Sequence, residues 1–178
     1  MFPVRLETER LVLRELSLDD LPAIQLFAAD PEVVKYHIWG PNTEDDTRAF
    51  LSPAIAAQKE SPRLAYEFAI IDKATDTLIG GCGIRSKNPE SRIGDLGYTL
   101  QRDFWGKGLA TETARRLVSF GFDDLNLHRI WATCDPENIA SARVLEKVGF
   151  KKEGHMREDT FCKGKWRDSL LFAVLETD

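Results

Sequence analysis

The clearest capacity for chemistry in this sequence lies in Gln101 Arg102 Asp103 Phe104 Trp105 Gly106 Lys107 Gly108 Leu109 Ala110 Thr111 Glu112. Two glycines one residue apart let a backbone approach a ligand closely. A strand-like run, Asp95 to Leu100, ends just before them. A helical pattern carrying Leu109, Thr113, Leu117, Phe120 and Phe122 begins within the stretch. The segment therefore reads as strand end, turn and helix start, where the first N–H groups lack intrahelical acceptors. The helix dipole adds partial positive charge and Lys107 stands beside it, so a phosphate or pyrophosphate is the fitting guest. The alternative is a helix that merely starts on glycines.

Two familiar phosphate loops are excluded. In a P-loop, Gln101 would have to be glycine and Gly108 a hydroxyl residue. A dinucleotide fingerprint would need glycine at Thr111 and a strand opening a βαβ unit near the N-terminus.

Other reactive residues form no local signature. Cys82, Cys134 and Cys162 are scattered and odd in number, which argues for reduced thiols over a disulfide framework. His37, His128 and His155 make no recognisable pair with a cysteine and no metal-binding spacing, so no intrinsic metal site is expected. Tyr36, His37 and Trp39 could line a substrate pocket or pack between two helices.

The surrounding pattern supplies the elements that must position these residues. A first strand is expected around Leu11 to Arg14, then a helix from Leu18 to Ala29 entered through Ser17 and stopped by Asp30 Pro31. Thr43 Glu44 Asp45 Asp46 starts a second helix, with a possible break at Pro53. Tyr66 to Asp72, Leu78 to Arg85 and Ile93 to Leu100 read as an antiparallel meander. A helix from about Gly108 to Asp123 and a strand from His128 to Cys134 follow, which suggests a crossover connection. Asp135 Pro136 Glu137 Asn138 opens a short helix closed by Gly149, and a final pair of strands ends with Ser169 to Leu175.

The 178 residues suit one domain spanning the chain, with 43% hydrophobic and 30% charged residues. Met1 to Glu7 shows no apolar leader segment, and no run reaches membrane-spanning length. A cytoplasmic protein with no membrane partner is expected. The net charge of −5 disfavours general nucleic-acid binding and suits a cationic partner better.

These elements, in this order, carry further specific residues: Thr8 Glu9 Arg10 Leu11 Val12 Leu13 Arg14, Gly97 Tyr98, Trp105 to Glu112, Asn138 with Ser141, Leu145 to Phe150, and Glu153 Gly154 His155 Met156 Arg157. In that order and spacing the chain resembles the GNAT superfamily of N-acetyltransferases, and within it the branch of the RimJ and RimL ribosomal-protein N-terminal acetyltransferases. The resemblance implies an α/β fold: a mixed, mostly antiparallel sheet, splayed at its middle, with about four helices. Acetyl-CoA would lie in the opening with its pyrophosphate on the turn, held by Leu100, Trp105, Gly106, Lys107, Gly108, Leu109, Ala110 and Thr111, with Asn138 and Ser141 near the sulfur. Trp105 replaces the Gln or Arg of the wider family's motif, a departure shared by the RimJ/RimL-like branch.

The implied reaction is direct acetyl transfer to a primary amine, with a peptide N-terminus as the first acceptor reading and a small amine such as a polyamine, an aminoglycoside or an amino-acid derivative as the second. A non-catalytic acyl-CoA sensor is a third. Resemblance makes Ser141 the candidate general acid, beside Asn138, and Asp95 a candidate base acting through water. Strand parity sets Tyr98 on the face opposite Asp95. Glu67, Glu158 and Asp159 stand as reserve carboxylates for a cationic acceptor, and homodimerisation is a further possibility drawn from similar proteins.

Overall fold

The computed structural model describes residues 3–178; Met1 and Phe2, part of the segment read for a leader, lie outside the described residues. Its strands are β1 (Arg5–Glu7), β2 (Leu11–Glu15), β3 (Ala65–Asp72), β4 (Thr77–Ser86), β5 (Ile93–Leu100), β6 (Arg129–Cys134), β7 (Lys151–Cys162) and β8 (Lys165–Leu175). Its helices are α1 (Leu21–Ala28), α2 (Glu44–Ala57), α3 (Leu109–Ser119) and α4 (Ile139–Val148). The strands form one sheet in the order β1-β2-β3-β4-β5-β6-β8-β7. Only β5 and β6 run parallel; the other neighbours are antiparallel. No helix among the described residues is long and apolar enough to cross a membrane.

The N-terminal expectation needs correction, because the single strand around Leu11 to Arg14 is the second arm of a hairpin. β1 precedes it and pairs Leu6 with Leu13. The helix expected to start at Leu18 begins as a short 3-10 turn, Leu18–Asp20, before α1. Helix α2 is continuous through Pro53. An interior proline costs a helix about 3 kcal/mol, but Thr43 and Asp46 cap the start reciprocally and Leu51, Ala54 and Ala57 are buried. Complete burial of a leucine contributes roughly 1.5–3 kcal/mol, so packing of the stripe offsets the proline. The last strand starts at Lys165, earlier than Ser169.

Alternation along the strands builds two cores. Leu11, Leu13, Phe68, Ile70 and Ile84 pack with Leu109 and Leu117 of α3 and Leu145 of α4. Val12, Ala69 and Ile71, of opposite parity, pack with Ile24 and Phe27 of α1 and Leu51 of α2. Each face of the sheet is thus covered by one pair of helices, as period-two side-chain alternation requires.

The sheet opens at its parallel pair. Ile93, Gly94 and Asp95 pair with Arg129, Ile130 and Trp131, and the pairing stops there. From Leu96 to Leu100, β5 keeps its β4 partner but has none on the β6 side. The crossover through α3 carries the glycine turn to the end of this unpaired strand edge.

Candidate active site

The turn has the geometry that its glycines foreshadow. Gly106 and Gly108 have φ of 72° and 77°, the left-handed region where a side chain brings strain. Glu112 donates its N–H to the Gly108 carbonyl at 3.1 Å, whereas the N–H groups of residues 106–111 find no protein acceptor among the described residues. Such a row at a helix start is a ready anion cradle. The cradle is latched from the first hairpin. Glu112 accepts from the Thr8 hydroxyl, the Arg10 N–H at 2.9 Å and Arg10 Nε at 2.7 Å, and Arg10 Nη1 holds the Lys107 carbonyl at 2.9 Å. Lys107 places its ammonium over the Phe104 ring. Trp105 uses its indole N–H to bind the Leu100 carbonyl at 2.8 Å, tying the turn to the end of β5.

On the α4 side of the opening two hydroxyls meet. Asn138 caps α4 by accepting the Ser141 N–H at 3.1 Å, which fixes the first turn of the helix. The Ser141 hydroxyl then lies 3.1 Å from the Tyr98 hydroxyl. Burial pushes the Tyr98 phenol up to about 12, with the Ser141 hydrogen bond opposing, so it stays a proton donor at neutral pH.

On the opposite face lies a cavity of about 640 Å³ between the sheet and the α1–α2 segment. Ile24, Phe27, Phe50 and Trp39 are among its apolar walls, and Glu67, Arg85, His37 and Thr99 give it polar ground. Glu67 is only 8% exposed and pairs with Arg85. Burial raises its pKa above the ordinary carboxylate value, against the attraction of Arg85. A Cβ on Gly83 would occupy the space of that carboxylate, so glycine in β4 makes room for the acid. His37 Nε2 lies 3.1 Å from Thr99 Oγ1. Burial, with Lys163 and Arg167 nearby, lowers its pKa to about 4, and the imidazole is neutral at pH 7.

Residues 10–151 match the acetyltransferase (GNAT) domain family. The chain belongs to the GNAT family. It is 37% identical to the uncharacterized N-acetyltransferase p20 of Bacillus licheniformis, over 97% of both chains. It is 28% identical to the ribosomal protein uS5-alanine N-acetyltransferase of Escherichia coli, over 98% of this chain and 92% of that one. A solved spermidine N-acetyltransferase of Vibrio cholerae, in complex with CoA and spermine, superposes with a TM-score of 0.82 at 25% identity, covering 96% of this chain and 98% of that one.

The architecture expected from sequence is thus the GNAT fold, and this GNAT protein is an N-acetyltransferase. Its turn brings Trp105 to Thr111 together with Leu100, and Asn138 and Ser141 stand together at α4. Asp95 is elsewhere: it faces the α1–α2 side, lies outside the cavity lining and accepts from Arg85 at 3.4 Å. The buried acid on the cavity lining is instead Glu67, which sequence reading held in reserve for orienting a cationic acceptor. Tyr36 also departs from expectation. His37 and Trp39 line the cavity and stack with ring centroids 4.7 Å apart, whereas Tyr36 does not line it and has the Lys35 ammonium over its ring.

Glu158 and Asp159 are exposed on β7 and do not line the cavity. Tyr98 is the partner that sequence reading missed. The parity that separated it from Asp95 was the available signal, since it turns Tyr98 toward α4. All three cysteines are buried; burial lifts the Cys82 thiol well above its ordinary value and Cys134 to about 11, so neither is a ready nucleophile.

Proposed function

We propose that this GNAT enzyme moves the acetyl group of acetyl-CoA directly to a primary amine, and that the amine is the α-amine of a protein or peptide N-terminus. The observation that carries the acceptor reading is the cavity with one deeply buried acid, Glu67, held by Arg85 in an otherwise largely apolar lining. Such a site suits one ammonium group attached to an uncharged or apolar neighbour. A polyamine needs anions spaced along its length. Asp46, the other acid on the lining, is engaged with the Thr43 N–H and hydroxyl at the cap of α2, so the cavity favours the single amine.

In this reading the N–H row of residues 106–111 binds the pyrophosphate, and the free edge of β5 receives the pantetheine arm and thioester. The acceptor enters as an ammonium; an α-amine, with a pKa of roughly 8, loses its proton with little assistance. Glu67, directly or through water, takes that proton. The amine nitrogen then attacks the thioester carbon, the C–N bond forms, the nitrogen gives up its second proton to solvent, and the C–S bond breaks. The thiolate of CoA takes a proton from the Ser141–Tyr98 pair, which regains one from solvent. Products are the amide, free CoA and one proton.

The test is thiol release from acetyl-CoA against peptides with varied N-termini, polyamines and aminoglycosides, with mass spectrometry of each product. Stoichiometric acetylation of peptide α-amines is the expected result. Acetylation confined to polyamines or aminoglycosides overturns the acceptor reading, and tight CoA binding without turnover on any amine points to the sensor role.

A further inference from the structure

One guanidinium joins the two sides of the active site. Arg167, on β8, donates from Nη1 to the His37 carbonyl at 3.1 Å and from Nη2 to the Tyr36 carbonyl at 3.3 Å. The same group pairs with the Asp135 carboxylate, and the two side chains are only 10% and 12% exposed. Asp135 directly follows β6. Its carbonyl accepts the Asn138 N–H at 2.9 Å and its carboxylate the Glu137 N–H at 2.8 Å. An unbroken chain of hydrogen bonds therefore runs from the His37 segment through Arg167, Asp135 and Asn138 to Ser141 and Tyr98. A second cation of the same hairpin, Lys163, binds the Val34 carbonyl at 2.7 Å.

We propose that Arg167 is a positioning residue for acetyl transfer, holding the acceptor-side segment that carries His37 and Trp39 in register with the turn that places Asn138 and Ser141. The proposal rests on reading the cavity as the acceptor site. A buried ion pair in itself adds little to stability, whereas a planar guanidinium can satisfy a carboxylate and two carbonyls at fixed angles. A lysine ammonium has no such fork. Since a misplacement of about 1 Å can cost roughly a hundredfold in rate, loosening this link should be felt by the acceptor. The cradle at residues 106–111 takes none of its hydrogen bonds from Arg167 and should not respond.

The experiment compares wild type, Arg167→Lys and Asp135→Asn as full-length proteins in two arms. In hydrogen exchange, the amides of His37, Asn138 and Ser141 should exchange together, about tenfold faster in either variant. With a peptide bearing a free N-terminal alanine as probe, kcat/KM for the peptide should fall about 10- to 100-fold, while the Kd for acetyl-CoA stays within about twofold. Faster exchange at only one of the two segments overturns the proposal, as does an unchanged kcat/KM for the peptide. If Arg167→Lys does not fold, Asp135→Asn, which keeps the guanidinium and its carbonyl contacts, decides both arms. If wild type acetylates no peptide, the acceptor reading fails on its own, and the exchange arm still decides whether Arg167 couples the two segments.

Discussion

The hydroxyl of Tyr98 lies 3.1 Å from the hydroxyl of Ser141, so the strand that flanks the opening and the helix beyond it present proton donors at one point. Burial keeps the phenol protonated to about pH 12, and no loss of the donor is expected in the working range. Ser141→Ala and Tyr98→Phe should each lower kcat by about a hundredfold, as loss of a general acid does, with much smaller effects on the KM for acetyl-CoA. Because the two hydroxyls act as a unit, the double variant should be far less impaired than the product of the singles. Steady-state thiol release measures this; full kcat in Ser141→Ala would reduce the serine to a helix-start residue.

Glu67 should set the acid side of the pH profile. Burial raises its pKa, Arg85 draws it back and Asp95 pushes it up further. The carboxylate is the form that accepts a proton, so kcat/KM for the amine should fall as pH drops through this raised value. Glu67→Gln should lower kcat/KM by about a hundredfold and remove that inflection, leaving only titration of the amine itself. Profiles between pH 5 and 9 decide it, and an identical acid limb in the variant would remove Glu67 from proton transfer.

The course of the chain was largely legible because its signals are local. Gly106 and Gly108 occupy positive φ, Gly149 ends α4 in the left-handed region, and the alternation of β3 to β5 gives their faces. The cavity was legible only in part, through His37 and Trp39, since the rest of it is made by long-range placement. Glu67 looks like any strand acid until Gly83 opens a space beside it and Arg85 partners it. Arg167 reaches Tyr36 and His37 from the far end of the chain. β1 was missed because three residues, Arg5–Glu7, with one buried leucine give no period to read.

Substitution at Gly108 separates charge from shape. An added Cβ would meet nothing closer than Arg10 Nη2 at 3.6 Å, so the cost of alanine is the backbone strain of positive φ, about 1 kcal/mol or somewhat more. Gly108→Ala should weaken acetyl-CoA binding by about tenfold or less, whereas Gly108→Glu should weaken it more than about a hundredfold by placing an anion at the cradle. Titration calorimetry with CoA compares the two. Equal affinities for both variants would mean that phosphate does not sit on this turn.

The latch on the cradle should be visible as pH-dependent stability. Burial opposes ionisation of Glu112, but the bonds from Thr8 and Arg10 outweigh it and lower its pKa. A carboxyl with a depressed folded-state pKa contributes stability above its unfolded value and loses it as pH falls through the folded one. Glu112→Gln should therefore lower the melting temperature at pH 7 by about 2–12 °C, taking about 1–3 kcal/mol for the charged hydrogen bonds and about 2–4 °C per kcal/mol. The gap between variant and wild type should narrow toward pH 3. Since Arg10 also holds the Lys107 carbonyl, the variant should bind CoA more weakly as well. Thermal melts at the two pH values test the charge. A gap of the same size at both would assign the stabilisation to the shape of the side chain alone.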